Sequence, residues 1–243
     1  MKKYILTSIS AIALLSYLMG CKDTYALQAQ VSKATPSHTP SPRSAPSPTP
    51  APKAQSMNAL IPAGWHILEP YLGEKALAKG NLNKDGISDL AMVIEKNSVK
   101  GEASPRSLLI AFGGKNNTYS LSIIADHVIL QADEGGIWGD PFESITIDRG
   151  SVLVSDYGGS NWRWYNKYRF RYQDQDWFLI GSTRGSYFTG ATTMEQSDED
   201  DINYLTGQFI QRRTDDQGHL TTKKGNRGKQ KLIRLEEFNS ENL

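Results

Sequence analysis

An alternation of side-chain character between residues 162 and 173 constrains the fold of this chain more than any other feature. A period of two over this length is typical of a β-strand, in which successive side chains point to opposite faces. The alternation predicts that the aromatic face is buried in a core and that the basic face points outward. The aromatic positions are Trp162, Trp164, Tyr168, Phe170 and Tyr172, and the opposite positions include Arg163, Lys167, Arg169, Arg171 and Gln173.

Further hairpins are indicated on both sides of this strand. The polar run 173–176 predicts a turn that returns the chain through residues 177–180, and a turn at 148–150 joins apolar segments at 144–147 and 151–154. Apolar runs near 90–95, 107–112 and 119–124 form a third group, and only residues 70–79 and 191–205 are compatible with a short helix. These patterns predict an all-β domain of antiparallel hairpins, with either a sandwich-like or a partial propeller-like arrangement.

The first twenty residues indicate export. Lys2 and Lys3 precede an uncharged, mostly apolar run of about 16 residues, which is short for a membrane span of ~20. Cys21 is the only cysteine, and it follows Leu18-Met19-Gly20 in an order that resembles the lipobox of bacterial lipoproteins. The resemblance implies a signal peptide over residues 1–20 and lipidation of Cys21, with palmitate among the expected acyl chains. It also implies attachment to the cell membrane or cell surface, on the extracytoplasmic side. An ordinary signal peptide with an incidental cysteine is the alternative.

Residues 21–56 have the composition of a linker. Seven of the eleven prolines lie between residues 36 and 52, among Ala, Ser and Thr. Such a segment buries too little apolar surface to offset the entropy lost on ordering. Proline also favours the extended polyproline II conformation, which rises ~3.1 Å per residue. We therefore expect a disordered tether that reaches up to about 100 Å and carries a domain over residues 57–243.

The segment 81–89 places oxygen-bearing side chains at alternate positions before a glycine. Calcium takes six to eight oxygen ligands, and a tight loop presents every second side chain to the ion. The spacing resembles the calcium loops of FG-GAP and VCBS repeats, and the resemblance extends over roughly residues 80–121. It implies a Ca²⁺ site of weak affinity, because only two of its ligands are charged. The alternative is an Asx-rich turn without a metal. The implied ligands are Asn81, Asn83, Asp85, the carbonyl of Ile87, and Asp89.

Motifs for catalysis are scarce in this chain. It contains no HExxH, no GxSxG elbow and no GxxxxGK[ST] phosphate loop, so we assign no residue a catalytic role. The remaining candidate group is Glu134, Asp140 and Glu143, which could form a carboxylate pair for glycoside hydrolysis.

The charge distribution and the lack of catalytic motifs bear on the choice of partner. The formal net charge of +1 gives no reason to expect nucleic acid as a partner. The outward Arg163, Arg169 and Arg171 are candidates for contact with an acidic envelope polymer or a protein partner. We therefore expect a non-enzymatic binding module that is anchored to the membrane through its lipid. A wall-glycan hydrolase acting through residues 134–143 is the alternative.

Overall fold

The computed structural model describes residues 53–98, 102–240 and 243. Within these residues the chain is all-β, as predicted, with its strands in two antiparallel sheets. The predicted signal peptide, Cys21 and the predicted tether up to residue 52 lie outside the described residues. The strands are β1 Trp65–Ile67, β2 Leu77–Gly80, β3 Asp89–Lys96, β4 Arg106–Gly113, β5 Tyr119–Asp126, β6 Phe142–Asp148, β7 Ser151–Gly159, β8 Trp162–Gln173, β9 Asp176–Phe188, β10 Asp198–Asn203, β11 Gln208–Thr214 and β12 Leu220–Asn226. Short 3-10 helices span Met57–Leu60, Lys115–Asn117, Gly136–Trp138, Met194–Gln196 and Leu235–Glu237.

The first sheet is built around β3, in which residues 90–94 are completely buried. β4 pairs with one edge of β3 and β5 follows β4, while β1 and β2 pair with successive parts of the other edge. Both faces of this sheet are covered, and this explains why residues 90–94 of β3 form a continuous apolar run and do not alternate between apolar and polar residues. One face lies in a core shared with the second sheet, and the other packs against residues 57–65.

The second sheet is a seven-stranded meander in which each strand from β6 to β12 pairs with the next. The predicted hairpins at 144–154 and 162–180 are confirmed as β6–β7 and β8–β9. In the β8–β9 turn, Asp174 and Gln175 both have a positive φ, 51° and 64°. Two successive positive φ values are typical of the two-residue turns whose twist matches that of antiparallel strands.

The shared core joins the first sheet to β6–β9. Phe112 from β4 contacts Tyr172 from β8 edge-on, with ring centroids 4.8 Å apart. The indole Nε1 of Trp177 donates a hydrogen bond of 2.9 Å to Ser122 Oγ of β5, so the two sheets are also linked by a polar contact. The two sheets therefore enclose one core, which corresponds to the sandwich-like alternative. The buried members of this core include Ala91, Val93, Leu108, Ile110, Val152, Val154, Tyr168, Phe170 and Leu179.

The helices considered possible at 70–79 and 191–205 are not formed. β2 occupies 77–80 and β10 occupies 198–203, and only one 3-10 turn, Met194–Gln196, lies in the second segment. The backbone of each segment pairs instead with a neighbouring strand, β3 or β9, and this pairing overrides a weak helical preference. In the part of the chain that the structure describes, no helix has the length and apolar character needed to cross a membrane.

The aromatic face of β8 is buried only in part. Phe170 and Tyr168 are 0% and 1% exposed, whereas Trp162 is 63% exposed. Neither Trp162 nor Trp164 belongs to the shared core, so the prediction that this whole face is buried is wrong at its first two positions. Alternation shows which side chains share a face, but it does not show how far the opposite sheet extends over that face.

Candidate functional site

The loop 81–89 closes through hydrogen bonds between its own side chains and backbone amides. Asn81 Oδ1 accepts from Lys84 N at 2.7 Å, and Asn83 Oδ1 accepts from Asp85 N at 3.0 Å. Asp85 Oδ1 accepts in turn from Ile87 N at 2.7 Å. The bonds of Asn83 and Asp85 are Asx turns, in which a side-chain oxygen takes the place of a backbone carbonyl, whereas that of Asn81 reaches the amide three residues on. The alternate spacing of the oxygens therefore has an explanation within the loop itself.

Asp89 anchors this loop to the first sheet, and its side chain is fully buried. Its Oδ2 accepts from the amides of Leu82 at 2.6 Å and Asn83 at 3.3 Å. Its Oδ1 accepts from the amide of Gly113 at 2.7 Å, which joins the loop to the end of β4. A buried carboxylate with three amide donors has its charge compensated by the protein.

The residues of the predicted calcium site thus lie together, but side-chain oxygens of Asn81, Asn83, Asp85 and Asp89 accept hydrogen bonds from protein donors. The described residues contain no group of three or more His, Cys, Asp or Glu side chains placed to hold a metal ion. The geometry favours the Asx-turn alternative, and calcium binding stays a prediction. It concerns Asn81, Asn83, Asp85, Ile87 and Asp89.

Basic side chains on the outer face of the second sheet line a groove of about 550 Å³. Lys167, Arg169 and Arg171 project into it from alternate positions of β8, and Arg149 adds a fourth cation from the β6–β7 turn. Gly181 of β9 lies opposite Arg169 and contributes no side chain to the floor. This groove, lined by these four cations, is called the basic groove below.

Acidic residues neutralise only part of the basic groove. Asp148 Oδ2 lies 2.9 Å from Arg149 Nε and 3.4 Å from Arg169 Nη1. The hydrogen bond from Arg149 and the charges of both arginines keep the pKa of Asp148 below its ordinary value. The side chains of Lys167 and Arg171 have no hydrogen bond or ion pair to any described residue. The only acid in the lining is Asp201, which accepts a hydrogen bond from Thr183.

Arg163 lies on the same face of β8 but outside the basic groove. Its guanidinium stacks over the ring of Trp138, 4.5 Å from the centroid, and its Nη1 donates to Gly159 O at 3.2 Å. Of the three arginines predicted to bind a ligand, the fold brings Arg169 and Arg171 together and separates Arg163 from them. Sequence reasoning omitted Arg149, which only the hairpin geometry brings to the groove.

Asp140, one of the three candidate carboxylates for hydrolysis, holds the buried Arg106. The two guanidinium nitrogens Nη1 and Nη2 donate to Asp140 Oδ1 and Oδ2 at 2.7 and 2.6 Å, while Nε donates to Glu95 at 2.8 Å. Burial raises the pKa of Asp140, but the hydrogen bonds from Arg106 and from the amide of Phe142 outweigh it, so this pKa lies below its ordinary value. The bidentate pair ties the segment before β6 to β4.

The other two candidate carboxylates do not complete a catalytic pair with Asp140. Glu134 accepts a hydrogen bond from the amide of Gln131 and so closes a turn. Glu143 is exposed, at a register shift between β6 and β7. Asp140 and Glu134 therefore have different hydrogen-bond partners, although all three carboxylates lie close enough to Asp156 for their charges to act on it.

Asp156, a buried acid that sequence reasoning missed, lies beside these carboxylates. It follows the core-facing residues of β7, is 1% exposed, and has no hydrogen-bond partner for either carboxyl oxygen among the described residues. Burial, followed by the charges of Glu143, Asp140 and Glu134, raises the pKa of Asp156 to about 7, although Arg106 lowers it. A perturbed acid of this kind is a candidate functional group on physical grounds.

Comparison of the chain with protein-family models, with curated proteins and with solved structures finds no match.

Proposed function

We propose that this chain is a cell-envelope lipoprotein whose β domain is a non-enzymatic binding module for an anionic polymer. The observation that supports this function is the basic groove, in which Lys167 and Arg171 are unpaired beside Arg169 and Arg149. Guanidinium groups present planar pairs of donors that match carboxylate and phosphate oxygens. Side chains at alternate strand positions are about 7 Å apart, a spacing that suits repeated negative charges along an extended chain.

The lipobox-like sequence and the linker support the location of this module. A lipidated Cys21 would hold the protein at the extracytoplasmic membrane surface, and a linker of this composition reaches up to about 100 Å from the bilayer. Such a reach suits a polymer partner within the envelope. The anchor is part of the proposal, because residues 1–52 lie outside the described residues.

The alternative, a wall-glycan hydrolase acting through residues 134–143, has weaker support. Glycoside hydrolysis needs an acid with a raised pKa and an ionised carboxylate that flank one substrate. The acid with the raised pKa is Asp156, whose carboxyl oxygens are buried away from any substrate. The acid with the lowered pKa is Asp140, which is held in a bidentate pair with Arg106. We therefore favour binding over hydrolysis.

The basic groove is tested by binding of the full-length chain to immobilised poly(glycerol phosphate), with polyglutamate as a carboxylate probe. We expect saturable binding at about 0.1 M salt and its loss near 1 M, because the Debye length falls from about 10 Å to about 3 Å. The double variant Lys167→Ala/Arg171→Ala should bind several-fold more weakly, since each exposed ion pair contributes roughly 0.2–1 kcal/mol.

Arg163→Ala is the matched control, because Arg163 lies on the same strand and the same face but stacks on Trp138. It should bind both polymers as the unmodified chain does. Equal weakening in the control and the double variant, or no binding to either polymer at low salt, would contradict the proposed function.

A further inference from the structure

A second cavity lies on the opposite face of the second sheet from the basic groove. It is a cleft of about 670 Å³ lined mainly by β8 to β11, and it continues the core-facing side of β8 from Phe170 and Tyr168 to Asn166 and Trp164. The volume falls within the range of about 300–1,000 Å³ that is typical of small-molecule sites. We call this cavity the inner cleft.

The indole of Trp164 forms a flat wall of the inner cleft. A Cβ placed on Gly158 would lie 2.4, 2.9 and 3.0 Å from three atoms of the indole, so the ring rests directly on the glycine backbone. One face of the ring is thus supported by the strand next to it, and the ring also lines the cleft. The face of an aromatic ring carries a partial negative charge and attracts polarised C–H groups.

Two polar side chains in the lining of the inner cleft, Gln211 and Arg213, donate hydrogen bonds to the same carboxylate. Asp200 accepts from Gln211 Nε2 at 2.9 Å, and both of its oxygens accept from Arg213 Nη2 at 2.9 Å. By contrast, the side chains of Asn166 and Ser186 have no hydrogen-bond partner among the described residues and are available to a ligand.

The remaining charged groups of the inner cleft are largely engaged by the protein. Arg184 donates a hydrogen bond to the main-chain oxygen of Leu243, and Asp198 accepts from the amide of Thr214 at 2.9 Å. Arg227 stacks on the ring of Phe209, with its guanidinium 5.0 Å from the centroid. The lining therefore combines three arginines with two aspartates, Asp198 and Asp200, and differs in character from the basic groove.

We infer that the inner cleft is a carbohydrate site for a short, neutral, β-1,4-linked oligosaccharide. A pyranose ring with equatorial substituents has a flat C–H face that stacks on an indole, and Trp164 supplies that surface. The hydroxyl groups at the edge of the same ring both donate and accept hydrogen bonds, as do the free Asn166 amide and the Ser186 hydroxyl. This site goes beyond the proposed function, since it uses other side chains on the other face of the sheet.

The test is a titration of the full-length chain with two tetrasaccharides, β-1,4-linked N-acetylglucosamine and β-1,4-linked glucose, followed by calorimetry. We expect saturable binding of at least one of them with little dependence on salt, because no net charge is neutralised. Trp164→Ala should weaken this binding about tenfold or more, as truncation of an aromatic anchor does. Trp164→Phe should retain more of the affinity than Trp164→Ala.

Trp162→Ala is the matched control. Trp162 has the same residue type, strand and face but packs on Phe188, with ring centroids 5.4 Å apart, outside the inner cleft. Asn166→Ala gives a second variant that removes only a partly exposed amide, and it should also bind more weakly. The double variant of the basic groove, Lys167→Ala/Arg171→Ala, should bind the sugar normally. The inference is overturned if neither tetrasaccharide binds, if folded Trp164→Ala and Asn166→Ala bind unchanged, or if Trp162→Ala loses as much affinity.

Discussion

Replacing Asp156 with Asn measures how much the buried acid destabilises the fold at neutral pH. Its pKa is about 7 in the folded chain, with burial as the largest cause, against an ordinary value of 3.8. Between these two values the unfolded chain has released a proton that the folded chain keeps, so the free energy of unfolding falls as pH rises. A difference of about 3 pKa units corresponds to roughly 4 kcal/mol at ~1.36 kcal/mol per unit.

The Asp156→Asn variant keeps the shape of the side chain but carries no titratable group. Near pH 4 the Asp156 side chain keeps its proton in the folded chain, so its ionisation lowers the free energy of unfolding only slightly. From there to about pH 7 the variant should gain stability over the unmodified chain, by up to roughly 4 kcal/mol, and the difference should be constant above pH 7. The contribution of Asp140 to stability does not change between about pH 4 and about pH 7. Its pKa is lowered, so this contribution is present above the ordinary value of 3.8 and is lost only at lower pH.

Urea unfolding of both full-length chains, followed by tryptophan fluorescence at a series of pH values from about 4 to about 8, gives this difference directly. Titrating groups that do not interact with Asp156 cancel, because they are common to the two chains, and the measured difference includes the coupling of Asp156 to Glu143, Asp140 and Glu134. Asp133→Asn, which removes an exposed acid from the neighbouring loop, is the control. Its free energy of unfolding should change with pH in the same way as that of the unmodified chain. If the free energy of unfolding of Asp156→Asn also changes with pH as that of the unmodified chain does, the folded chain does not hold a proton on Asp156 and the reasoning is refuted.

Two further predictions concern the calcium loop and the anchor. If Asn81, Asn83, Asp85 and Asp89 bind calcium, millimolar Ca²⁺ should raise the melting temperature of the full-length chain by mass action, and Asp85→Ala should remove that response. Identical melting curves with Ca²⁺ and with a chelator would leave only the Asx-turn explanation. Cys21→Ala should move the protein out of the detergent phase in Triton X-114 partitioning, because lipidation requires the thiol. A variant that still enters the detergent phase would exclude lipidation at Cys21 as the anchor.

Short-range patterns in the sequence were sufficient to predict the hairpins β6–β7 and β8–β9, but not β2 and β10, which lie in segments that were compatible with short helices. The period of two in β8 and the polar residues around Asp174 correctly predict a hairpin, because both features depend on neighbouring residues alone. The extent of burial depends instead on where the other sheet ends. Phe170 lies under the first sheet whereas Trp162 is exposed, although the two share one face of one strand. No local pattern distinguishes these two positions.

Some positions of the functional residues also follow from neighbouring residues alone, whereas others depend on contacts between distant parts of the chain. Arg169 and Arg171 are close because two positions on one strand face are always close, and the alternation alone predicts this. Arg163 has the same parity, but Trp138 reaches it from a separate loop and occupies its guanidinium. Asp156 is unusual because residues distant in sequence bury it and give its carboxyl group no hydrogen-bond partner among the described residues. The amino-acid sequence around Asp156 therefore does not indicate its environment.

The basic groove and the inner cleft follow from one property of the strands β8 to β10. Because successive side chains leave opposite faces, Lys167 and Arg169 enter the groove while Asn166 and Trp164 enter the cleft. The first sheet covers the inner face only at the Phe170 end of β8, which leaves the rest of that face open for polar side chains. On the outer face, the surface at the basic groove carries Lys167 and Arg171, which have no ion pair among the described residues. A charged polymer and a neutral sugar would therefore contact the same strands through different side chains, and salt would distinguish the two modes of binding.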